Sequence, residues 1–529
     1  MPLPPGVSER DFTSALEEFR RVVGDAWVFS SDADLDLYRD AYSPLRGEDE
    51  DPVPSAAVAP KATEQVQEVV RIANRYKVPL WTISTGKNLG YGGSAPCLSG
   101  TVMLDVKRMD RIIEVDEKNH YALVEPGVSY FDLYRYIHER RLKVWIDTPD
   151  PGWGSLIGNA LERGGGYTPM RDHFDAHCGM EVVLPNGDLL RTGMGALPNS
   201  KTWQQYRYGF GPYLDGIFSQ SSLGVVTKMG FWLYPQPEAQ RSGTVSVPRR
   251  RDLVPLMEHV NYLMNSYIAQ GTIRIQSALS SFGPSDPGLA ALRARPGGAT
   301  LEDVERHVAG RGQPYWSVAL PFYGPPNVIA AQWEYAKERL GAAIPGARFQ
   351  DGPEYRFPLT EEQIARITNG VSLGIPSLQA FSYGAGTTRG HLWFAPIIPM
   401  TGEAILEAQE VLMTSLTELG VPLTALIPPQ SYFPRSIVVF VGFPITADVA
   451  TNRRTRDTYR TLVKTAQEHG WGEYRTHIQF MDDVMESYSF NDHALRRFHE
   501  QMKDAIDPNG ILAPGKNGIW PARLRPGRA

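Results

Sequence analysis

The earliest clear periodicity is helical. Val66, Val69, Val70 and Ala73 recur at i, i+3, i+4 and i+7, putting four apolar side chains on one face of a helix that opens at Thr63 as its predicted N-cap. Apolar runs of strand length flank it, Ala56-Ala57-Val58-Ala59 before and Val78-Pro79-Leu80-Trp81 after, so the opening reads as a β–α–β unit running into a glycine-rich turn. Strands are predicted over 101–105, 111–115 and 121–125, then a helix over 129–140. Glycine is dense from Gly152 to Gly216. It lets main chain approach a ligand closely, so a tract of this length suggests an extended cofactor lying along backbone; a set of tight turns is the plainer reading. The pattern shifts after Tyr234-Pro235-Gln236-Pro237, where charged helical segments replace glycine. Near Gly470 strand, turn and loop are expected to return. An α+β protein is predicted, with residues 1–239 and 471–529 forming one domain and 240–470 inserted as a second.

Composition narrows the class without naming a function. A length of 529 residues allows two large domains or three to four small ones at about 150 residues each. The 42% hydrophobic and 21% charged residues are those of a globular chain. A net charge of −6 offers no overall attraction to a polyanion, so no nucleic-acid partner is expected. Ile437 to Phe443 is the strongest apolar stretch and falls far short of the roughly 20 residues of a spanning helix, so no membrane segment is expected. Two cysteines, Cys97 and Cys178, make no disulfide framework, and residues 1–12 lack the pattern of a signal peptide; a cytoplasmic location is expected.

Several motifs fail. No Gly-x-Gly-x-x-Gly is present, which disfavours a nicotinamide dinucleotide fold. Gly510 to Lys516 has phosphate-loop spacing, but Asn517 replaces the hydroxyl that would hold Mg²⁺ and Pro521 follows instead of a helix. No zinc spacing or Gly-x-Ser-x-Gly elbow appears, so no metal site is expected. What survives is scattered. Ser84-Thr85-Gly86-Lys87-Asn88-Leu89-Gly90-Tyr91-Gly92-Gly93 follows a predicted strand, and its successive N–H groups suit an anion such as a pyrophosphate. Gly390-His391 lies in an apolar run where most histidines are core residues, and Tyr474-Arg475 sets a phenol beside a guanidinium, commonly a surface pair.

Taken with Pro126-Gly127-Val128, Gly164-Gly165-Gly166-Tyr167-Thr168-Pro169, Arg191 to Pro198, Tyr208 to Pro212, Gly472 to His477 and Asp507 to Lys516, these segments resemble the vanillyl-alcohol oxidase family of FAD enzymes along nearly the whole chain. The resemblance implies an FAD domain assembled from both chain ends, and a cap domain between them built on an antiparallel sheet flanked by helices. It also implies a covalent link from the flavin 8α-methyl to His391. A subgroup resembling p-cresol methylhydroxylase instead uses a tyrosine link and passes electrons to a cytochrome, so His391 favours the oxidase branch. Tyr91, Tyr474 and Arg475 match the family's phenolate site, and Asp150 its active-site acid, with Asp147 a local competitor and a turn aspartate the plainer reading. Gly86, Lys87, Asn88, Gly90, Gly92, Ser155, Gly158, Asn159, Arg163, Gly164, Val226 and Lys516 match positions that line FAD. Tyr167, Trp393 and Ile427 fall at the substrate pocket.

The implied reaction is oxidation of 4-hydroxybenzyl alcohols, 4-alkylphenols or 4-allylphenols. Hydride passes from the benzylic carbon to flavin N5, a p-quinone methide forms, and O₂ is reduced to H₂O₂ by a homodimer or larger homo-oligomer. This chain departs from the family at Met170-Arg171-Asp172-His173, where relatives carry Tyr-Gly-Asp-His, and at Leu426 to Tyr432, where they carry Met-Arg-Glu-Met-His-His. A rebuilt pocket wall is expected.

Overall fold

The computed structural model describes residues 2–278, 286–295, 299–379, 390–421 and 426–525. Strands Ala56–Val58 and Leu80–Ile83 both pair in parallel with Val102–Asp105, which lies between them. The helix Thr63–Tyr76 connects the first two and buries Val66, Val69, Val70 and Ala73 completely. Thr63 is not its cap: Ala62 holds that position, and the Thr63 hydroxyl donates to the buried carboxylate of Glu181 at 3.1 Å. The hydroxyl joins Thr227, Lys228 and Arg191 around that carboxylate, a charge-assisted bond that competes with capping. Ser129 does cap its helix, Tyr130–Glu139, through a reciprocal pair with Asp132.

A five-stranded antiparallel sheet follows, in the order Ile112–Asp116, Tyr121–Val124, Val225–Trp232, His177–Val183, Leu189–Arg191. From Ala239 onward the chain builds a nine-stranded antiparallel sheet that ends at Gly472–Glu473. Helices Leu253–Asn265, Pro326–Ala343, Gly402–Glu418 and Val449–Glu468 supply much of its core, around the fully buried Phe322 and Trp333. Each such aromatic side chain contributes on the order of 2–3 kcal/mol of burial energy.

Past Trp471 the structure differs from the sequence expectation. Helices Met481–Ser487 and Phe490–Ile506 stand in this stretch, where strand and loop were expected. The longer one carries charges on most faces and leaves Phe490, Leu495 and Phe498 exposed, so no clean apolar stripe announces it. The chain then returns to the first unit, where Leu80 N–H donates to Ile511 O at 2.6 Å and Ala513 N–H to Leu80 O at 2.7 Å. Lys503 fastens this return. Its buried ammonium donates to Ser222 O, Leu512 O and the Asp507 carboxylate, which in turn accepts from Ile511 N–H and Leu512 N–H.

Candidate functional site

The glycine-rich loop after Leu80–Ile83 forms one side of a cleft enclosing about 1250 Å³ of unfilled space. Gly92 must be glycine twice over: its φ is +113°, and a Cβ there would lie 2.6 Å from Ile478 Cγ2. Ser155 caps the short Leu156–Leu161 helix by accepting from Gly158 N–H at 3.0 Å, which turns that segment's backbone toward the same space. Gly86, Lys87, Asn88, Gly92, Ser155, Gly158, Asn159, Val226 and Lys516 all line the cleft, as do Tyr91 and Arg475. The Lys516 ammonium pairs with Glu162.

Three further residues of the expected set do not line this cleft. Gly90 faces His391 and Trp393, and a Cβ there would meet Trp393 Cδ1 at 2.8 Å. Gly164 packs on the Asn159 side-chain amide, and the Arg163 guanidinium donates to Ser219 Oγ at 3.1 Å. The anion nest is also smaller than expected, because the N–H groups of Tyr91 and Gly93 both donate to Asn88 O.

His391 lies on strand Gly390–Phe394, its ring 5.1 Å from that of Tyr42 and 4.7 Å from that of Trp393. Burial pulls its pKa down to about 4, against the opposing pull of Asp40, so the imidazole is neutral at pH 7. Its Nδ1 is buried and has no hydrogen-bond partner. An orphan of this kind costs about 1–3 kcal/mol and calls for a bound group or water.

The guanidinium of Arg475 lies 4.4 Å from the Tyr91 ring centre and 5.0 Å from that of Tyr474. Burial works against its charge, but the two neighbouring phenols overcome this and its pKa is raised. Burial likewise raises the pKa of Tyr91 and of Tyr474, with Arg475 opposing, so both stay protonated donors. The Tyr474 hydroxyl donates to Arg163 O at 2.8 Å, and Arg475 Nε is buried without a partner.

Glu473, which the sequence did not single out, sits beside this group. Its Oε1 accepts from Ala395 N–H at 2.7 Å and from the Tyr459 hydroxyl at 3.1 Å; its Oε2 has no partner. Burial pushes its pKa up to about 8. An acid inside Trp471-Gly472-Glu473-Tyr474, where a strand enters the core, was the available signal.

Of the two candidate aspartates, Asp147 has a structural task. Its Oδ1 accepts from the N–H groups of Tyr167 and Thr168, both at 2.9 Å, and so presents Tyr167. Asp150, three residues on, precedes a cis peptide to Pro151. The wall beyond Tyr167 is a chain of aromatic contacts. Tyr167 shares a 3.0 Å hydroxyl contact with Tyr432, whose ring lies 6.3 Å from that of Phe440; Phe440 in turn lies 5.8 Å from Trp393. Tyr432 ends the Leu426 to Tyr432 run expected to rebuild the wall; Phe440 was not picked out, though the alternation through Ile437 to Ile445 marks it as facing one side of a strand. Ile427 pairs through its backbone with Phe440, but its side chain lies outside the described residues.

Among the described residues no three His, Cys, Asp or Glu side chains gather as a metal-ligand set, and no helix is long and apolar enough to cross a membrane. Glycine backbone on one side, a stacked cation on another and an unpartnered imidazole suit a large, flat, anionic cofactor bearing a pyrophosphate.

Comparison with known proteins agrees. Residues 54–193 match the FAD binding domain family. The 4-cresol dehydrogenase [hydroxylating] flavoprotein subunit of Pseudomonas putida is 34% identical over 98% of this chain and 97% of its own. The structure of 4-ethylphenol oxidase from Gulosibacter chungangensis in complex with isoeugenol superposes with a TM-score of 0.86 at 36% identity, covering 99% of this chain and 100% of that one. Substrate-bound p-cresol methylhydroxylase gives 0.84 at 33%, covering 98% and 99%. The chain therefore belongs to the vanillyl-alcohol oxidase and p-cresol methylhydroxylase family, as a flavoprotein oxidoreductase with FAD as its cofactor and a cap domain beside its FAD-binding domain.

Proposed function

We propose that this chain is an oxidase of para-substituted phenols, taking 4-alkylphenols, 4-allylphenols or 4-hydroxybenzyl alcohols and passing their electrons to O₂. The observation that carries the reading is Arg475, a buried cation held between two tyrosine rings at the wall of the FAD cleft. A free phenol has a pKa near 10. One guanidinium with an unused Nε–H, together with the hydroxyls of Tyr91 and Tyr474, favours its anion at neutral pH. To serve as a donor there, Tyr474 exchanges its bond to the Arg163 carbonyl for one to the phenolate. Charge on the phenolate oxygen then drives loss of the para-benzylic hydride and leaves a p-quinone methide. Bound FAD supplies the hydride acceptor. Asp150 is read as the base that activates water for attack on the quinone methide. Asp147, whose Oδ1 accepts from two backbone N–H groups while its Oδ2 is without a hydrogen-bond partner, is the local competitor.

His391 is read as the covalent attachment point. A neutral imidazole with a free ring nitrogen is the nucleophilic form. The nine cleft residues from Gly86 to Lys516 are read as the FAD contacts. A homodimer or larger assembly in the cytoplasm completes the reading.

Peroxide release with vanillyl alcohol, eugenol and 4-ethylphenol tests it; silence with every phenol in flavin-loaded protein would overturn it. A dehydrogenase reading is favoured by the 34% identical relative, which is named as one. Turnover several-fold faster on an artificial dye than on O₂ would select it. Yellow polypeptide after acid precipitation, lost in His391→Ala, is the expected sign of the covalent link.

A further inference from the structure

A second cleft, about 1430 Å³ of unfilled space, lies between the 216–223 segment and the two C-terminal helices. Glu162, Gln220, Ser221, Ser222 and Arg475 line both this cleft and the FAD cleft, so the two spaces meet at the proposed phenolate cation. Its outer wall is apolar. Leu495, Phe498 and Met502 recur at i, i+3 and i+7 on the Phe490–Ile506 helix, opposite Met485 and Tyr488; Leu495 is 44% exposed and Phe498 58%. Its inner end is polar. Ser222, Glu473, Arg475 and His499 line it, and each carries a buried polar atom without a protein partner.

We infer that this cleft is the passage by which phenols reach Arg475 from solvent and products leave. The inference rests on the phenol-oxidising reading and adds the route and the residues that gate it. With FAD in the first cleft, the second still leads from the surface to Arg475. An apolar wall with a cation at its inner end suits a small aromatic molecule bearing a hydroxyl, and not a polyanion or a sugar.

A gate residue differs from a binding residue in a measurable way: it alters association and dissociation rates together and leaves Kd unchanged. The probe is 4-chlorophenol, which has no benzylic hydrogen and cannot be oxidised by this route. Its binding to the holoenzyme is followed in the flavin absorbance by stopped flow. Met502→Trp and Leu495→Trp, both outside the flavin contacts, are expected to slow association and dissociation alike by about ten-fold, with Kd held within about two-fold and flavin content unchanged. Wild-type rates in both loaded variants would overturn the route, as would a changed Kd carried by dissociation alone, or no binding of the probe to the wild type. Failure of the phenol-oxidising reading shows itself separately, as a flavin that 4-ethylphenol does not bleach.

Discussion

The cofactor side and the substrate side of this site are made from different materials. The FAD cleft is shaped by main chain: Gly92 in a left-handed conformation against Ile478, and a serine cap turning the 155–161 segment inward. The cap side is shaped by side chains, with Trp393 and Phe440 standing on neighbouring strands of the large sheet and Tyr432 bridging them to Tyr167. Backbone geometry tolerates almost no substitution, because it is set by dihedral angles and close approach. A packed wall tolerates many, because volumes can be redistributed. One family can therefore keep a single cofactor cleft and vary the guest.

The strongest test of this division lies where the two materials meet. Arg475→Met leaves the stacked volume and removes the charge, and kcat/KM for 4-ethylphenol is expected to fall about 10³-fold, or roughly 4 kcal/mol. A fall of less than ten-fold would mean that the phenolate is stabilised elsewhere. Gly92→Ala comes next. Strain at positive φ and the clash with Ile478 are expected to cost about 1–3 kcal/mol of stability, read as a lower Tm and a reduced 450 nm flavin band. Phe440→Ala opens the wall without touching the cleft, so flavin content stays constant while the preference between 4-methylphenol and bulkier 4-alkylphenols shifts by about ten-fold. If Phe440→Ala loses flavin as readily as Gly92→Ala, the division is false.

A further test is a pH slope. Glu473 stays protonated up to about pH 8 in the folded chain, whereas an unfolded glutamate ionises near its ordinary value of 4.5. Between those limits the unfolded chain binds fewer protons, so this residue makes stability decline as pH rises from about 4.5 to about 8. Glu473→Gln keeps the shape without the titration and is expected to show a smaller drop in Tm between pH 5 and pH 8 than the wild type does. Equal drops would remove Glu473 as the source.

The same division explains what was legible in the sequence. The valine face at Val66, Val69, Val70 and Ala73, the helix opening near Ser129 and the glycine loop from Gly86 to Gly92 were readable, because helix period and positive φ are local properties; the cap expected at Thr63 was not, because a distant carboxylate takes its hydroxyl. Tyr91 and Tyr474-Arg475 were picked out by motif, and the structure stacks them. Glu473 and Phe440 were missed because their surroundings are assembled from strands and helices far apart in the chain. Gly90, Gly164 and Arg163 were matched by motif; they do not line the cleft and lie against His391, Asn159 and Ser219.

The order in which the chain is synthesised adds a consequence. The cleft takes Gly86 and Tyr91 from near one terminus, and Leu512, Ala513 and Lys516 from near the other, and the Leu80 pairing is complete only when Ile511 and Ala513 arrive. A nascent polypeptide still inside the ribosomal exit tunnel lacks that last wall. Loading of the dinucleotide therefore waits for residues 511–516, and a chain stopped before Ile511 is expected to be colourless however well its remaining segments fold.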